Sequence, residues 1–300
     1  MRLRFLLTLL TIVTLSSAMS IAAPAAPLVI YLAPTGIDTN SGLSATSPIK
    51  SLDKALDLAT SHRQSTDSPV HVFFAKGTYY GLTKTWRSFS KTYSTLFAPM
   101  AGLKTGDVIL DGKRLPTDAQ GSTGGLFSFR LPAGTTAGQR TNILIRDLVI
   151  RNYRGGIAFN GVSKDDSSSA ISRNIVRECV FERIGNMYAP IGSPPSKATS
   201  VIAVVNSRDN VFMGNRFTDI NNTNYADPEN IGKPYGSALH AFYLAHHSSN
   251  NRIEGNRFER HQSGAAIKVR DNSNDNVIIR NQFTEMYPSR AIQRGCPKSR

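Results

Sequence analysis

Beyond residue 140 the chain is written in short alternations of apolar and polar residues. Phe242 and Leu244 alternate with Tyr243 and Ala245, and Ile267 and Val269 with Lys268 and Arg270. A period of two is that of a strand with one face buried. Between these runs a phrase keeps returning: "NILIRDLVI", "NIVRECVF", "NVFMGNRF", "NRIEGNRF" and "NVIIRNQF", led by Asn142, Asn174, Asn210, Asn251 and Asn276. Asn215, Asn256 and Asn281 fill a second polar slot, and Phe181, Phe217, Phe258 and Phe283 follow it. In the fourth-from-last copy Cys179 takes the second slot. In the first copy Asp147 is read into that slot and Val149 into the Phe slot.

The steps between leading asparagines are 32, 36, 41 and 25 residues. With 25 as the bare unit, the surplus of 7, 11 and 16 residues falls in three loop-like insertions, 162–170, 186–198 and 221–236, rich in Gly, Pro, Ser, Asn and Asp. A unit of this size cannot bury its own apolar face and must stack on its neighbours. Two or three short strands per unit, turning at Gly and Asn, make a coil of parallel strands, a β-helix. Asn suits the work because it tolerates the left-handed conformation of a tight corner and its amide can bond to the same Asn one coil away. The expectation is that all five leading asparagines lie in one line along the axis, with the Phe residues stacked inside.

Upstream, "YLAPTGIDTNSGLSATSPIKSLDKALDLA" (31–59) reads as a strand, a loop and a helix capped by Ser51, with Leu52, Ala55, Leu56 and Ala59 on one face. A helix here would cover the open end of a β stack. "HVFFAKGTYYG" and "GDVILDGK" supply the strands and turns of the first coils. Taken with the Asn-punctuated repeats, this entry region resembles secreted bacterial right-handed parallel β-helix proteins of the pectate-lyase-like superfamily, over residues 30–290. The resemblance implies an all-β, single-stranded right-handed parallel β-helix with an N-terminal capping helix. It also implies work on polysaccharide, commonly uronic-acid-containing. The scaffold carries lyases, hydrolases, epimerases and non-catalytic adhesins alike.

Residues 1–26 have a basic start, an apolar run and small residues before Ala23 and Ala25, the form of a secretory signal peptide. The rest, 27–300, is expected as one elongated domain, with cap and first coils over 27–115 and the Asn-punctuated coils over 140–290. A secreted or periplasmic location follows, and no later segment is apolar enough to span a membrane. Two cysteines, Cys179 and Cys296, exclude a disulfide framework and a cysteine-held zinc. The formal charge is +14, or +12 once Arg2 and Arg4 leave with the leader. A secreted protein this basic meets polyanions; acidic polysaccharide is the partner expected, and nucleic acid is not. Beyond Asn281 no capping element is evident, so a partner covering that end is one alternative, a short or truncated chain the other.

Counting back from each leading Asn puts Lys268 and Arg270 on one outward strand face, with Tyr243 beside Lys268 on the adjacent coil. His240, His246 and His247 flank that strand, and Lys233 and Tyr235 lie in the insertion before it. Cations, a phenol and imidazoles walled by loops suit an anionic chain. The chemistry that uses them is β-elimination, in which a base takes the proton beside a carboxylate while a cation holds the charge that builds there. The reading gives Arg270 the carboxylate, Lys268 the proton, and Tyr243 or His240 the leaving oxygen. His246, His247, Tyr235 and Lys233 are expected to bind substrate. The Lys/Arg pair is similar to that of alginate and chondroitin lyases of this fold, although their flanking motifs are missing. A polyanion-binding module without catalysis is the main alternative, followed by a glycoside hydrolase or a uronan epimerase. Hydrolysis needs paired carboxylates, and Asp165 with Asp166 and Asp227 with Glu229 lie in insertions, where they suit loop solvation or a weak Ca²⁺ site; the sequence leaves the cofactor open, Ca²⁺ being one candidate. Adjacent residues of a strand point apart, so His246 and His247 make a poor metal pair.

Overall fold

The computed structural model describes residues 25–186, 188, 199–222, 239–262, 264–286 and 291–294. Every long sheet in it is parallel, and each pairs a strand with the equivalent strand one coil on. Sheet A has eight strands, from Leu28–Leu32 to Val277–Ile279; sheets B and C have seven each, from Gly77–Tyr80 to Gln282–Thr284 and from Lys84–Trp86 to Ile292–Arg294. The chain passes from A to B to C and starts again, so no sheet contains a hairpin. This is the parallel β-helix that the repeats predict.

Helix α1 (Leu52–Ser65) precedes the coils. Ser51 caps it by accepting from the Lys54 N–H, and Leu52, Ala55 and Ala59 are buried against the first turn. Such a cap contributes about 1 kcal/mol. Lys84, at the start of the first sheet C strand, forms an ion pair with Asp53 in the first turn of α1.

The ladders, not the left-handed corners, explain the asparagines from Asn174 onward, for the positive φ belongs to the residue before each of them. Asn174, Asn210, Asn251 and Asn276 form one ladder: each Oδ1 accepts both the backbone N–H and the Nδ2 of the Asn one coil before it, at 2.7–3.1 Å. A second ladder runs from the Cys179 N–H through Asn215 and Asn256 to Asn281, at 2.9–3.0 Å. All of these except the terminal Asn276 and Asn281 are buried, as is Cys179. Inside, the rings of Phe181, Phe217, Phe258 and Phe283 stack with centroids 5.0, 5.0 and 4.9 Å apart and within 9° of parallel.

The first copy departs from the expected register. Leu144 lies opposite Ile175, so Ile143 and not Asn142 stands at the ladder position, and its N–H reaches Asn174 Oδ1 at 3.2 Å. Asn142 sits one residue earlier, at the left-handed corner (φ 48°) that Arg173, Asp209, Asn250 and Asp275 occupy in later coils. Likewise Ile150, not Val149, is opposite Phe181, and Leu148 rather than Asp147 precedes that pair. Asp147 is itself a left-handed corner (φ 60°). Asn satisfies both the corner and the rung, so the letter alone could not say which of two neighbouring positions it filled.

Candidate functional site

The outer face of sheet C is where the sequence placed the chemistry. Register pairing sets Thr85, Ser128, Ala158, Ala203, Tyr243, Lys268 and Gln293 in one column, one residue per coil. A second column holds Arg130, Asn160, Val205 and Ala245, with Arg270 just beyond the paired Val269. The inward neighbours Phe127, Ile157, Ile202, Phe242 and Ile267 are buried and fix the face outward.

Four of the expected residues come together at the C-terminal end of this face. Tyr243 is opposite Lys268. The His240 ring is stacked on that of Tyr243, with centroids 5.8 Å apart and planes at 18°. Arg270 lies beside Tyr243 and forms an ion pair through Nε with Asp271 Oδ2 at 2.8 Å. The Asp271 carboxylate raises the Arg270 guanidinium above its usual value, so the cation is permanent.

His240 is almost fully buried, and its Nδ1 lies 2.7 Å from the Ala265 carbonyl. A carbonyl can only accept, so Nδ1 carries the proton and the neutral ring has a bare Nε2. Burial lowers the His240 pKa below 6.5, and the Ala265 carbonyl and nearby Lys268 act more weakly, in opposite directions. Neutral at pH 7, with its one proton turned to the backbone, His240 has none to give a substrate. Of the two donors considered, this leaves Tyr243 as the candidate.

The lowered pKa also sets a stability trend. The unfolded chain binds a proton near pH 6.5 that folded His240 refuses, so its contribution is intact above that pH and is lost as pH falls toward the folded value. His71, also lowered by burial, acts in the same direction. Urea midpoints of wild type measured from pH 7.5 to 5.5 should therefore decline, and His240→Gln should decline less steeply. Equal slopes would show that His240 charges freely in the folded protein.

The paired histidines differ from expectation. The strand ends at Ala245, and His246 and His247 are both left-handed corner residues (φ 56° and 63°) rather than alternating strand positions. His246 Nε2 is 3.7 Å from the Asp271 oxygen that holds Arg270, whereas the charge of His247 acts on Asp166, on a neighbouring loop. Only His246 adjoins the Arg270 cluster through that oxygen. Lys233 and Tyr235 lie outside the described residues, as do Asp227, Glu229 and most of the two longest insertions; the strands those insertions precede, Ser200–Val205 and His240–Ala245, belong to sheet C as expected. Among the described residues no group of three metal-ligating side chains occurs, and no helix is long and apolar enough to cross a membrane.

Asp271 was not among the residues expected at the site; it is a left-handed corner (φ 54°) whose side chain holds Arg270. The available signal was its position directly after the candidate arginine.

The family model described as a right-handed β-helix region matches residues 131–293, more than half of the chain. This chain belongs to the right-handed β-helix family. None of the curated proteins matches it significantly in sequence. Solved structures similar to this β-helix protein include a rhamnogalacturonan lyase (14% identity, 89% of this chain and 66% of that one, TM-score 0.39) and a pectate lyase (13%, 93% and 80%, 0.42). A lacto-N-biosidase from Eubacterium ramulus is another (10%, 89% and 67%, 0.38). At these identities and scores the likenesses say nothing of activity in the β-helix protein.

Proposed function

We propose that the protein binds an acidic, uronic-acid-containing polysaccharide on the outer face of sheet C and cleaves it by β-elimination. The observation that carries the reading is the convergence of Lys268, Arg270 and Tyr243 on adjacent strands of that face.

In the proposed step the guanidinium of Arg270 grips the uronate carboxylate through its free nitrogens, as Arg is shaped to do. Lys268, in its neutral form, takes the proton from the carbon next to that carboxylate. Charge builds on the carboxylate as an enolate and is held by Arg270. As it collapses, a carbon–carbon double bond forms, the bond to the glycosidic oxygen breaks, and Tyr243 gives that oxygen its proton. No water enters. Product masses should therefore sum to the mass of the starting chain, one partner being unsaturated. Products heavier by a water per cut would mean hydrolysis and overturn the assignment. Among the described residues no carboxylate stands in the two outer columns of sheet C, which disfavours the paired acids of a hydrolase.

One observation favours the non-catalytic reading. Arg270 is held by Asp271, an arrangement that serves a fixed binding contact as well as a transition state. Asp271→Asn distinguishes the two. With catalysis, loosening Arg270 should lower kcat about tenfold or more, since small misplacements at a reacting centre are costly, and leave retention in a polysaccharide-affinity gel unchanged or stronger. Equal kcat in the variant would remove Asp271 from the account. Export by the leader at residues 1–26 belongs to the same proposal, although that segment lies outside the described residues, Ala25 and Ala26 apart.

A further inference from the structure

The Lys268 column does not end at Tyr243. Toward the N-terminus the outer face of sheet C is floored by small residues: Ala203, Ala158 and Ser128 in the column, with Gly125, Gly155 and Ser200 beside it. A trough of this kind needs side chains that do not rise from the strand face. At its far end lies a cavity of about 740 Å³ lined by Asp53 and Leu56 of α1, Thr83, Lys84, Thr85, Arg87, Gly125, Ser128 and Ala158 among others, the floor being shared with the trough. Arg87 follows Trp86, which pairs with Phe129, and Arg130 follows Phe129. Both arginines are exposed, and among the described residues neither takes part in an ion pair. The face thus carries cations at both ends, Arg87 and Arg130 at one and Lys268 and Arg270 at the other, with small neutral residues between. Five strand steps of about 4.8 Å separate Thr85 from Lys268, a distance of about 24 Å.

We infer that the cavity under α1 is a second anion-receiving subsite, which takes a remote carboxylate of the same uronan chain whose reacting unit lies at Lys268. The inference rests on the proposed function for its choice of ligand. Its geometry stands apart, because the cavity touches none of the residues assigned to the reaction. A flexible polyanion attracted by overall charge alone would gain affinity smoothly with length. Two fixed cationic ends joined by a neutral floor give a step instead: short oligomers occupy one end, and a chain long enough to span the trough gains the other contact at little further entropic cost. The Lys84–Asp53 ion pair ties the wall of the cavity to its floor, so the far subsite is held by the same contact that docks the helix.

The test is titration calorimetry of oligogalacturonates and oligomannuronates, each from the dimer upward at fixed ionic strength, with Lys268→Ala added as a background so that no oligomer is cleaved. In at least one series affinity should rise in a step at the spanning length. Arg87→Ala/Arg130→Ala should bind spanning oligomers at least about tenfold more weakly, the size of one or two charge-assisted contacts, and bind short ones as before. Ser128→Trp, which fills the trough without changing charge, should also remove the step. Arg177→Ala/Arg208→Ala, an equal loss of charge at exposed positions outside sheet C, should leave it in place. A smooth length dependence in both series, or equal weakening of short and spanning oligomers by the Arg87/Arg130 change, overturns the inference. The two proposals fail differently. If elimination is wrong but the subsite is right, the step appears and wild type releases no unsaturated product. If only the subsite is wrong, unsaturated product forms and Arg87→Ala/Arg130→Ala processes long chains as wild type does.

Discussion

Lys268→Ala is expected to abolish cleavage of acidic polysaccharide, and Arg270→Ala to slow it by about 100-fold or more, the effect of removing one positioned donor from a developing charge. Retention of substrate should survive both changes, because long-range attraction comes from the whole basic surface. Lys268 and Arg270 stand on the outward side of their strand with side chains partly open to solvent, so neither substitution removes core packing. Circular dichroism should stay that of the wild type, showing that the coil is folded in both variants. Initial rates with one substrate, at matched ionic strength, read both effects. Arg177→Ala, an exposed arginine of sheet A, is the control and should keep the wild-type rate. Loss of rate in the control as large as in Arg270→Ala would mean that charge in bulk, not position, matters.

The second large effect concerns the coil itself. Asn256 is fully buried, accepts from the N–H and Nδ2 of Asn215, and donates Nδ2 to the Phe212 carbonyl and to Asn281. Asn256→Ala leaves two donors and two acceptors, the Phe212 carbonyl and Asn281 Oδ1, without this partner. Each buried polar group so stranded costs about 1–3 kcal/mol, and a loss on the order of 3 kcal/mol is expected. Asn142→Ala is the informative comparison. That residue is off the ladder, and among the described residues its side chain donates to the Ser90 and Lys91 carbonyls, at 3.2 and 3.3 Å, so its loss should be about 1 kcal/mol, mainly from placing Ala in a left-handed corner. Urea unfolding of the two variants decides it. Equal destabilisation would say that the ladder is no more than a row of corner residues.

The fold was open to reading because each coil repeats its two hardest requirements, a left-handed corner and a buried rung. The two requirements fall on neighbouring positions, and Asn can fill either, which is why the phrase survives insertions of different length. The same double competence misled the register in the first copy, where Asn142 fills the corner and Ile143 the rung. Apolar periodicity placed Lys268, Arg270 and Tyr243 on one face because period two is geometry and needs no chemistry to interpret. Side-chain partnership is another matter. That Asp271 would hold Arg270, and that His240 would turn its proton to the Ala265 carbonyl, depends on rotamers and on which backbone groups the next coil presents. The trough was legible only across coils: Ser128, Ala158 and Ala203 are unremarkable letters until pairing sets them in line with Lys268. The pairing depends on the lengths of the insertions between them.

Elimination of a uronic-acid unit on sheet C, as against binding alone, has a direct readout. Ultraviolet absorbance of purified protein incubated in turn with alginate, pectate, hyaluronan and chondroitin tests it most directly. If sheet C eliminates, absorbance from the new double bond should rise with at least one of them, and should not rise with Lys268→Ala. Depolymerisation without absorbance, or an undiminished rise in the variant, would contradict it.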